Sequence, residues 1–314
     1  MKYNISAESC EQLMEEFKNN QPFEKGKRML FINVGNKDVY NITAPFIING
    51  EKIIAGRVEN RDSEYSQIMF FTFNGEAWSP KEKAPVFNLQ DPFVTGINNE
   101  IIFGGVEVFQ KNNDRTKLQW RTVFFRGTNI NHLKLFAAGP IGMKDIRLIQ
   151  LCDQRIGVFT RPQGEIGGRG KIGFTIISSL NELTEETIEK ASIIDNQFIE
   201  EEWGGVNEPH LLSNGKIGVL GHIACFDENQ NRHYYSMAFL FDPDLKKSSP
   251  IKIIAVRENF EEGEFKRKDL IDVVFSGGLI RRNDGYAELY AGVSDAQAHR
   301  IIIPDPFLEY EKNS

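Results

Sequence analysis

The chain has 314 residues, 40% of them hydrophobic, 11% aromatic (24 are Phe) and 26% charged, which allows a sizeable core and is ordinary for a soluble globular protein. A formal net charge of -7 and a pI near 5.5 exclude the basic footprint of a nucleic-acid or membrane-surface protein and favour neutral or weakly polar ligands. Three scattered cysteines (Cys10, Cys152, Cys225) and five histidines without Cys-x-x-Cys or His-x-x-x-His spacing give neither a disulfide framework nor a zinc site, so no metal is expected. With no apolar leader and no membrane-length apolar window, the expected location is cytoplasmic.

In chain order, Ser9–Phe17 reads as a helix. Cys10, Leu13, Met14 and Phe17 recur at the spacing of one helical face, and Ser6 or Ser9 is placed to cap it. That face is expected to pack on the side of the fold or on a second subunit, so a homo-oligomer is among the expected partners. Almost everything that follows reads as strand. Thr43–Glu59 is two β-rich runs across Asn49-Gly50, and Ser66–Trp78 carries an Asn74-Gly75 turn. Asp91–Phe109 repeats the pattern around Asn98-Asn99, Lys144–Pro162 around Asp153-Gln154, Asn207–Phe226 around Asn214-Gly215, and Ile271–Ile301 around Asn283-Asp284-Gly285. Trp120–Thr128, Lys171–Ser179 and Tyr234–Asp242 read as third strands, and Leu180–Ala191 as a short surface helix.

The unit starts, at Pro45, Asp91, Lys144-Asp145, Asn207-Glu208 and Asp272, lie about 45–65 residues apart, against about 40–50 for a propeller blade without insertions. The expected fold is therefore all-β, a five-bladed β-propeller with a short N-terminal helix; a double barrel or sandwich is the alternative. Residues 1–40 are read as the helical extension and lead-in, and 41–314 as a single propeller domain that carries the site. In such a ring the first strand of each blade lines the channel. Asp91, Asp145, Glu208 and Asp272 then meet although they are distant in sequence, with Arg57, Arg61, Arg161, His222 and Asp295 at the returning strand ends. Carboxylates, Arg and amides around one cavity suit sugar hydroxyls, and Trp203, Phe93 and Tyr65 offer stacking faces. Taken singly, an Asp at a strand start is more often a turn residue, and a lone His in an apolar strand a core residue; only their shared position within the units speaks for a site.

RVENR (Arg57–Arg61), QDPF (Gln90–Phe93), KDI (Lys144–Ile146), TRP (Thr160–Pro162), LGH (Leu220–His222), DVVFSGGLI (Asp272–Ile280) and YAGVSD (Tyr290–Asp295) stand in one order over residues 40–303. In this the chain resembles glycoside hydrolase family 130, five-bladed propellers acting on β-mannosides as inverting phosphorylases or hydrolases. It is most similar to a divergent related group catalogued as domain of unknown function 1861. The resemblance implies that Asp91 is the proton donor, acting on the glycosidic oxygen through a sugar hydroxyl. It implies basic pocket residues at Arg57, Lys144, Arg161 and His222, and sugar-hydroxyl acceptors at Asp145, Asp272 and Asp295. Gln90 and Phe93 replace the Glu and Arg that flank the acid in the family motif, and Ser276 replaces a Pro.

Two chemistries are open. Phosphorolysis needs a cationic cradle, for which Lys144, Arg161, Arg169 and His222 are candidates, with inorganic phosphate as co-substrate and no further cofactor. Hydrolysis with inversion needs a second carboxylate about 6.5–9.5 Å from the acid to activate water, for which Glu208 is the candidate base. The expected function is an inverting glycoside phosphorylase or hydrolase on an oligosaccharide; the alternative, motivated by Phe93, is a non-catalytic sugar-binding propeller.

Overall fold

The computed structural model describes residues 3–18, 24–111 and 114–312. It is mostly β, and among the described residues no helix is long and apolar enough to cross a membrane. Each expected hairpin is present with its turn. Asn49 and Gly50 (φ 51° and 81°) and Asn98 and Asn99 (φ 52° and 62°) take the left-handed conformations that a two-residue hairpin turn demands.

The described strands fall into four sheets built mainly of antiparallel meanders. One sheet runs Gln90–Ile97, Glu100–Lys111, Asp114–Gly127 and Lys134–Ala138; the next runs Arg147–Gln150, Ile156–Thr160, Gly173–Ile177 and Ser192–Ile193. A third holds Trp203–Leu211, Ile217–Phe226 and Arg232–Asp242, with Lys247–Ser248 and Lys252–Ala255 both on the last of these. The first and last units of the chain share one sheet. Val274–Arg281, Tyr286–Val293 and Gln297–Pro304 continue through Asp38–Tyr40 into Glu51–Glu59, Gln67–Phe73 and Trp78–Pro80. The junction is a parallel bridge between Val39 and Gln297, and Lys27–Arg28 pairs with the same C-terminal strand. The two ends of the chain are thus stitched together by backbone hydrogen bonds. In space, Glu51–Glu59 packs on Gln90–Ile97, which packs on Arg147–Gln150, then Trp203–Leu211, then Val274–Arg281.

Among the described residues, five buried apolar clusters cement neighbouring units. Ile53, Phe70 and Phe103 join the first to the second; Phe93, Phe124, Ile146 and Val158 join the second to the third. Phe159, Phe174 and Phe241 form a triangle of rings with centroids 4.6–5.5 Å apart between the third and fourth. Leu220, Leu240 and Leu289 join the fourth to the fifth, and Tyr290, Ile54 and Phe71 join the fifth back to the first. This is where the high Phe content goes: rings filling the wedge between twisted sheets. The N-terminal helix, Cys10–Lys18, buries Cys10, Leu13 and Phe17 in the third-to-fourth cluster. Ser9 and Gln12 cap it reciprocally, and Glu202 accepts the Cys10 N–H. The expected helix at Leu180–Ala191 is instead two pieces, a 3-10 turn Leu180–Glu182 and a helix Glu185–Glu189, because the Thr184 side chain caps a fresh start by accepting the Thr187 N–H.

The leading strands are bulged. Two residues, Asp91 and Pro92, oppose the single Gly105 between the pairs Gln90–Val106 and Phe93–Gly104, one extra; Asn207 is extra between Val206 and Glu208, and Gly277 between Ser276 and Gly278. A bulge re-aims side chains locally. Gly277 is required there, since any Cβ would collide with the Ile42 carbonyl oxygen where the fifth unit meets the first. Gly277→Ala is therefore expected to destabilise by about 3 kcal/mol, whereas Gly96→Ala, whose Cβ meets nothing within 4 Å, should stay within about 0.5 kcal/mol of wild type. Urea midpoints of the two variants measure the contrast.

Candidate active site

The bulges and left-handed backbone bring one polar side chain from each of several leading strands to a common centre. Asn41 (φ 43°), Asp91 (φ 49°) and Asp145 (φ 60°) all sit in the conformation that Asn and Asp tolerate best among residues with a Cβ, and all are buried. Asp295, at the turn before Gln297–Pro304, shares it (φ 49°). Non-glycine residues held this way concentrate at functional sites because the surrounding fold must enforce them.

Asp91 anchors the cluster. Its Oδ1 accepts from Asn41 Nδ2 at 2.8 Å and from Arg57 Nη1 at 3.1 Å. Arg57 lies 4.9 Å over the Tyr40 ring, and its Nη2 bonds Glu59 Oε2 at 2.9 Å. Glu59 also accepts from Lys266 Nζ at 2.6 Å and from the Tyr40 hydroxyl. Asp91, Arg57, Glu59 and Lys266 thus form a buried chain of alternating charge. Burial pushes the Asp91 carboxyl up, but Arg57, then Lys144 and the Asn41 amide, outweigh it and hold it below the ordinary range. Asp295 goes the other way. Burial and the Asp91 charge raise it despite Arg57, Lys266 and Lys144. Of the two carboxyls, Asp91 is shifted toward the ionised form and Asp295 toward the protonated one.

The third and fourth units supply a second buried group. Asp145 has no exposed surface; Arg161 Nη1 stands 3.3 Å from its Oδ2 and Arg147 Nη2 4.0 Å from its Oδ1. Burial raises this carboxyl, while Lys144, Arg161, His222 and Arg147 bring it down to about 2. His222 Nδ1 donates to Asn207 Oδ1 at 2.8 Å, and burial, against the pull of Asp145, lowers its pKa to about 3. The imidazole is therefore neutral at pH 7 and adds no charge to an anion cradle. Arg147 lies 4.4 Å over the Phe93 ring, with Nε donating to the Asn207 carbonyl at 2.8 Å. A guanidinium thus stands against the position where the flanking motif has Phe instead of Arg.

Beside this centre opens a cavity of about 620 Å³ whose lining includes Lys144, Arg161, Arg169, Arg232, Trp203 and Tyr234. Arg169 packs over Trp203 and Phe226, and the Trp203 indole donates to the Tyr234 hydroxyl at 3.1 Å. Lys144 has no ion-pair partner within 4 Å among the described residues. A second cavity of about 540 Å³ shares Glu64, Gln90, Val106 and Val108 with the first and is lined by Asn60, Tyr65, Gln67 and Asn88.

Of the residues singled out in the sequence, Arg57, Lys144, Asp91, Asp145, Arg161, His222 and Asp295 are brought together by contact or charge. Three others are engaged elsewhere. Glu208 Oε2 accepts the Leu279 N–H at 2.6 Å and stands 2.9 Å from His210, with no hydrogen bond or ion pair to Asp91. Arg61, 40% exposed at its side chain, pairs with Asp38 and Glu264. Asp272 binds His233 Nδ1 at 2.5 Å. Asn41, Arg147, Asn207 and Lys266 join the candidate site although their side chains were not singled out in the sequence, and Glu59, whose sequence position suits an ordinary salt bridge with Arg57, joins it through that ion pair. The signal for Asn41 was available, because YNI repeats the polar-residue-before-strand pattern of QDP and KDI.

Fold and site together define a mostly-β protein with an ion-rich cavity where its leading strands converge. The chain belongs to the family described as Protein of unknown function (DUF1861), which matches residues 15–309. No curated protein matches it. Among solved structures it is 39% identical to a mannose phosphorylase from Leishmania mexicana in complex with a phosphate ion, over 96% of this chain and 94% of that one, with a TM-score of 0.88. It is 36% identical to a GDP-Man-dependent mannosyltransferase from the same organism, over 95% of each chain, with a TM-score of 0.86. A β-1,2-mannobiose phosphorylase from Listeria innocua shares the fold at 14% identity, over 89% of this chain and 94% of that one, with a TM-score of 0.61.

The sign of the Asp295 shift gives a test. A carboxyl raised in the folded state contributes its stability below its unfolded pKa and loses it as pH rises through the folded value. Asp295→Asn is expected to be more stable than wild type at pH 7.5, with the difference shrinking towards pH 4. Urea denaturation at the two pH values measures it; equal stability at both would remove the raised carboxyl.

Proposed function

We propose that this protein is an inverting glycoside phosphorylase acting on β-mannosides, built as a five-bladed β-propeller over residues 41–314 with 1–40 as a lead-in, and with Asp91 as general acid. The observation that carries the reading is the charge of the cavity beside Asp91: Lys144, Arg161, Arg169 and Arg232 line it against the single carboxylate of Glu64. Arg232 is already paired with Asp269, but Lys144, Arg161 and Arg169 still suit a phosphate dianion. A hydrolase needs a free carboxylate opposite the acid, and Glu208 is spent on Leu279 and His210. The similarity to a phosphate-bound mannose phosphorylase supports the same reading.

In the proposed reaction a phosphate oxygen attacks the anomeric carbon from the cationic side, the C1–O bond to the leaving sugar breaks, and the β-linkage becomes an α-sugar 1-phosphate. Asp91 passes its proton through a sugar hydroxyl to the leaving oxygen and recovers one from the incoming phosphate, so protons balance. Arg57 and Asn41 hold the carboxylate in place while it is ionised. Incubation with β-mannosyl disaccharides should release sugar phosphate only when phosphate is present. Free mannose alone would make the protein a hydrolase, and binding without turnover would make it a sugar-binding propeller. Asp91→Asn should lower turnover by about 10²–10⁴-fold; full activity in that variant would remove Asp91 from the role.

A second reading has its own observation. Trp120, Trp203 and Phe226 stand in the same cavity as the cations, a combination that also accepts a stacked base with a diphosphate, and one relative is a GDP-Man-dependent transferase. Supplying GDP-mannose or mannose 1-phosphate as donor to an acceptor mannoside separates them. Elongation from mannose 1-phosphate alone is expected of the phosphorylase run in reverse.

A further inference from the structure

Asp145 falls, by sequence position, among the residues expected to grip sugar hydroxyls, yet neither of its carboxylate oxygens has exposed surface or a hydrogen-bond partner among the described residues. What surrounds it is positive. Arg161 Nη1 is 3.3 Å away, Arg147 Nη2 is 4.0 Å away, and Lys144 precedes it in the chain. Two of these three, Lys144 and Arg161, line the 620 Å³ cavity; Asp145 does not.

We infer that Asp145 is a positioning residue, a sealed counter-ion beneath the cavity that fixes Arg161 to receive the phosphate beside Lys144. This rests on the phosphorylase reading above and assigns Asp145 no contact with the sugar. Arg161 is clamped from every side. Its Nε donates to the Gly204 carbonyl at 2.8 Å, and Nη1 meets Asp145. A Cβ on Gly170 would lie 2.8 Å from Nη2, and one on Gly205 would lie 2.9 Å from Cδ and 3.3 Å from the Asp145 Cβ. Two glycines therefore form the slot and one carboxylate fixes the guanidinium along it. Without the carboxylate, Arg147, Arg161 and Lys144 would face one another with no buried anion between them. Mutual repulsion and the cost of unpaired buried charge would then drive the cavity pair out of register.

A pure field effect of the Asp145 carboxylate has the opposite sign. If Asp145 mattered only through its field, Asp145→Asn would make the cavity more positive and tighten phosphate. If it positions the cations, phosphate binding weakens. The experiment is calorimetric titration of the full-length wild type and of Asp145→Asn with inorganic phosphate, and separately with mannose. Wild type is expected to bind phosphate, and the variant to bind it about tenfold more weakly or worse with mannose affinity kept within about twofold. Unchanged or tighter phosphate binding by the variant overturns the inference, as does a loss confined to mannose, which would make Asp145 a sugar ligand. Failure of wild type itself to bind phosphate overturns the phosphorylase reading and this inference with it. Gly170→Ala pushes on the Arg161 guanidinium from the opposite side without touching Asp145. It should reproduce the phosphate-selective loss if Asp145→Asn does not fold, and normal phosphate binding by it overturns the inference in that case.

Discussion

The Arg57 guanidinium, shared between Asp91 and Glu59, is the interaction on which the site depends. An unpaired charge at that depth would cost several kcal/mol, and the side chain is only 5% exposed. Two carboxylates satisfy it, and Glu59 is in turn neutralised by Lys266 Nζ at 2.6 Å. Each member is tolerable only because the next is present. The consequence reaches beyond local electrostatics. Arg57 lies on a strand of the first unit, Asp91 on the leading strand of the second, and Lys266 on the segment entering the fifth. The ion chain therefore ties three units together, while the apolar clusters tie neighbours pairwise. It also acts on Asp91: with Arg57 and Asn41 donating to one oxygen, the carboxyl is held below its ordinary range.

The architecture was legible because its punctuation is local. Asn49-Gly50, Asn98-Asn99 and Asn214-Gly215 announce hairpins by their tolerance of positive φ, and their recurrence gave the units. The turn residues act within a few bonds, so no tertiary knowledge was needed. The helix at the N-terminus was legible for the same reason. Its apolar spacing and the Ser9–Gln12 cap are properties of a single turn.

The site was less legible where a bulge intervenes. A strand alternates faces with period two, so one inserted residue reverses the assignment of everything beyond it. At Asn207 the bulge gives the contact with His222 to the asparagine, and its charged neighbour Glu208 reaches Leu279 and His210. Two residues adjacent in sequence face different surroundings, and sequence alone favoured the carboxylate because it is the more reactive group. Asn41 was hidden differently: placing the first unit at Pro45 began the count four residues late. Arg147 looked like an ordinary strand residue, since nothing local reveals that its guanidinium stacks on Phe93 from another sheet.

The two connected cavities are chemically unlike, and that asymmetry constrains how a substrate lies. The cationic end holds Lys144, Arg161, Arg169 and Arg232; the other end carries amides and Tyr65, with Glu59 and Glu64 on its wall. A phosphate at the second end would face the Glu59 and Glu64 carboxylates, and a neutral sugar at the first would leave Lys144 and Arg169, which have no ion pair among the described residues, without an anion. A phosphate and a neutral saccharide sort themselves by charge before any hydroxyl is read. Asp91 follows Gln90, which both cavities share, so the acid stands where the two ligands would meet. In the proposed phosphorolysis, attack from the cationic side would require the leaving sugar to depart on the other face of the reacting carbon, the arrangement that inversion requires.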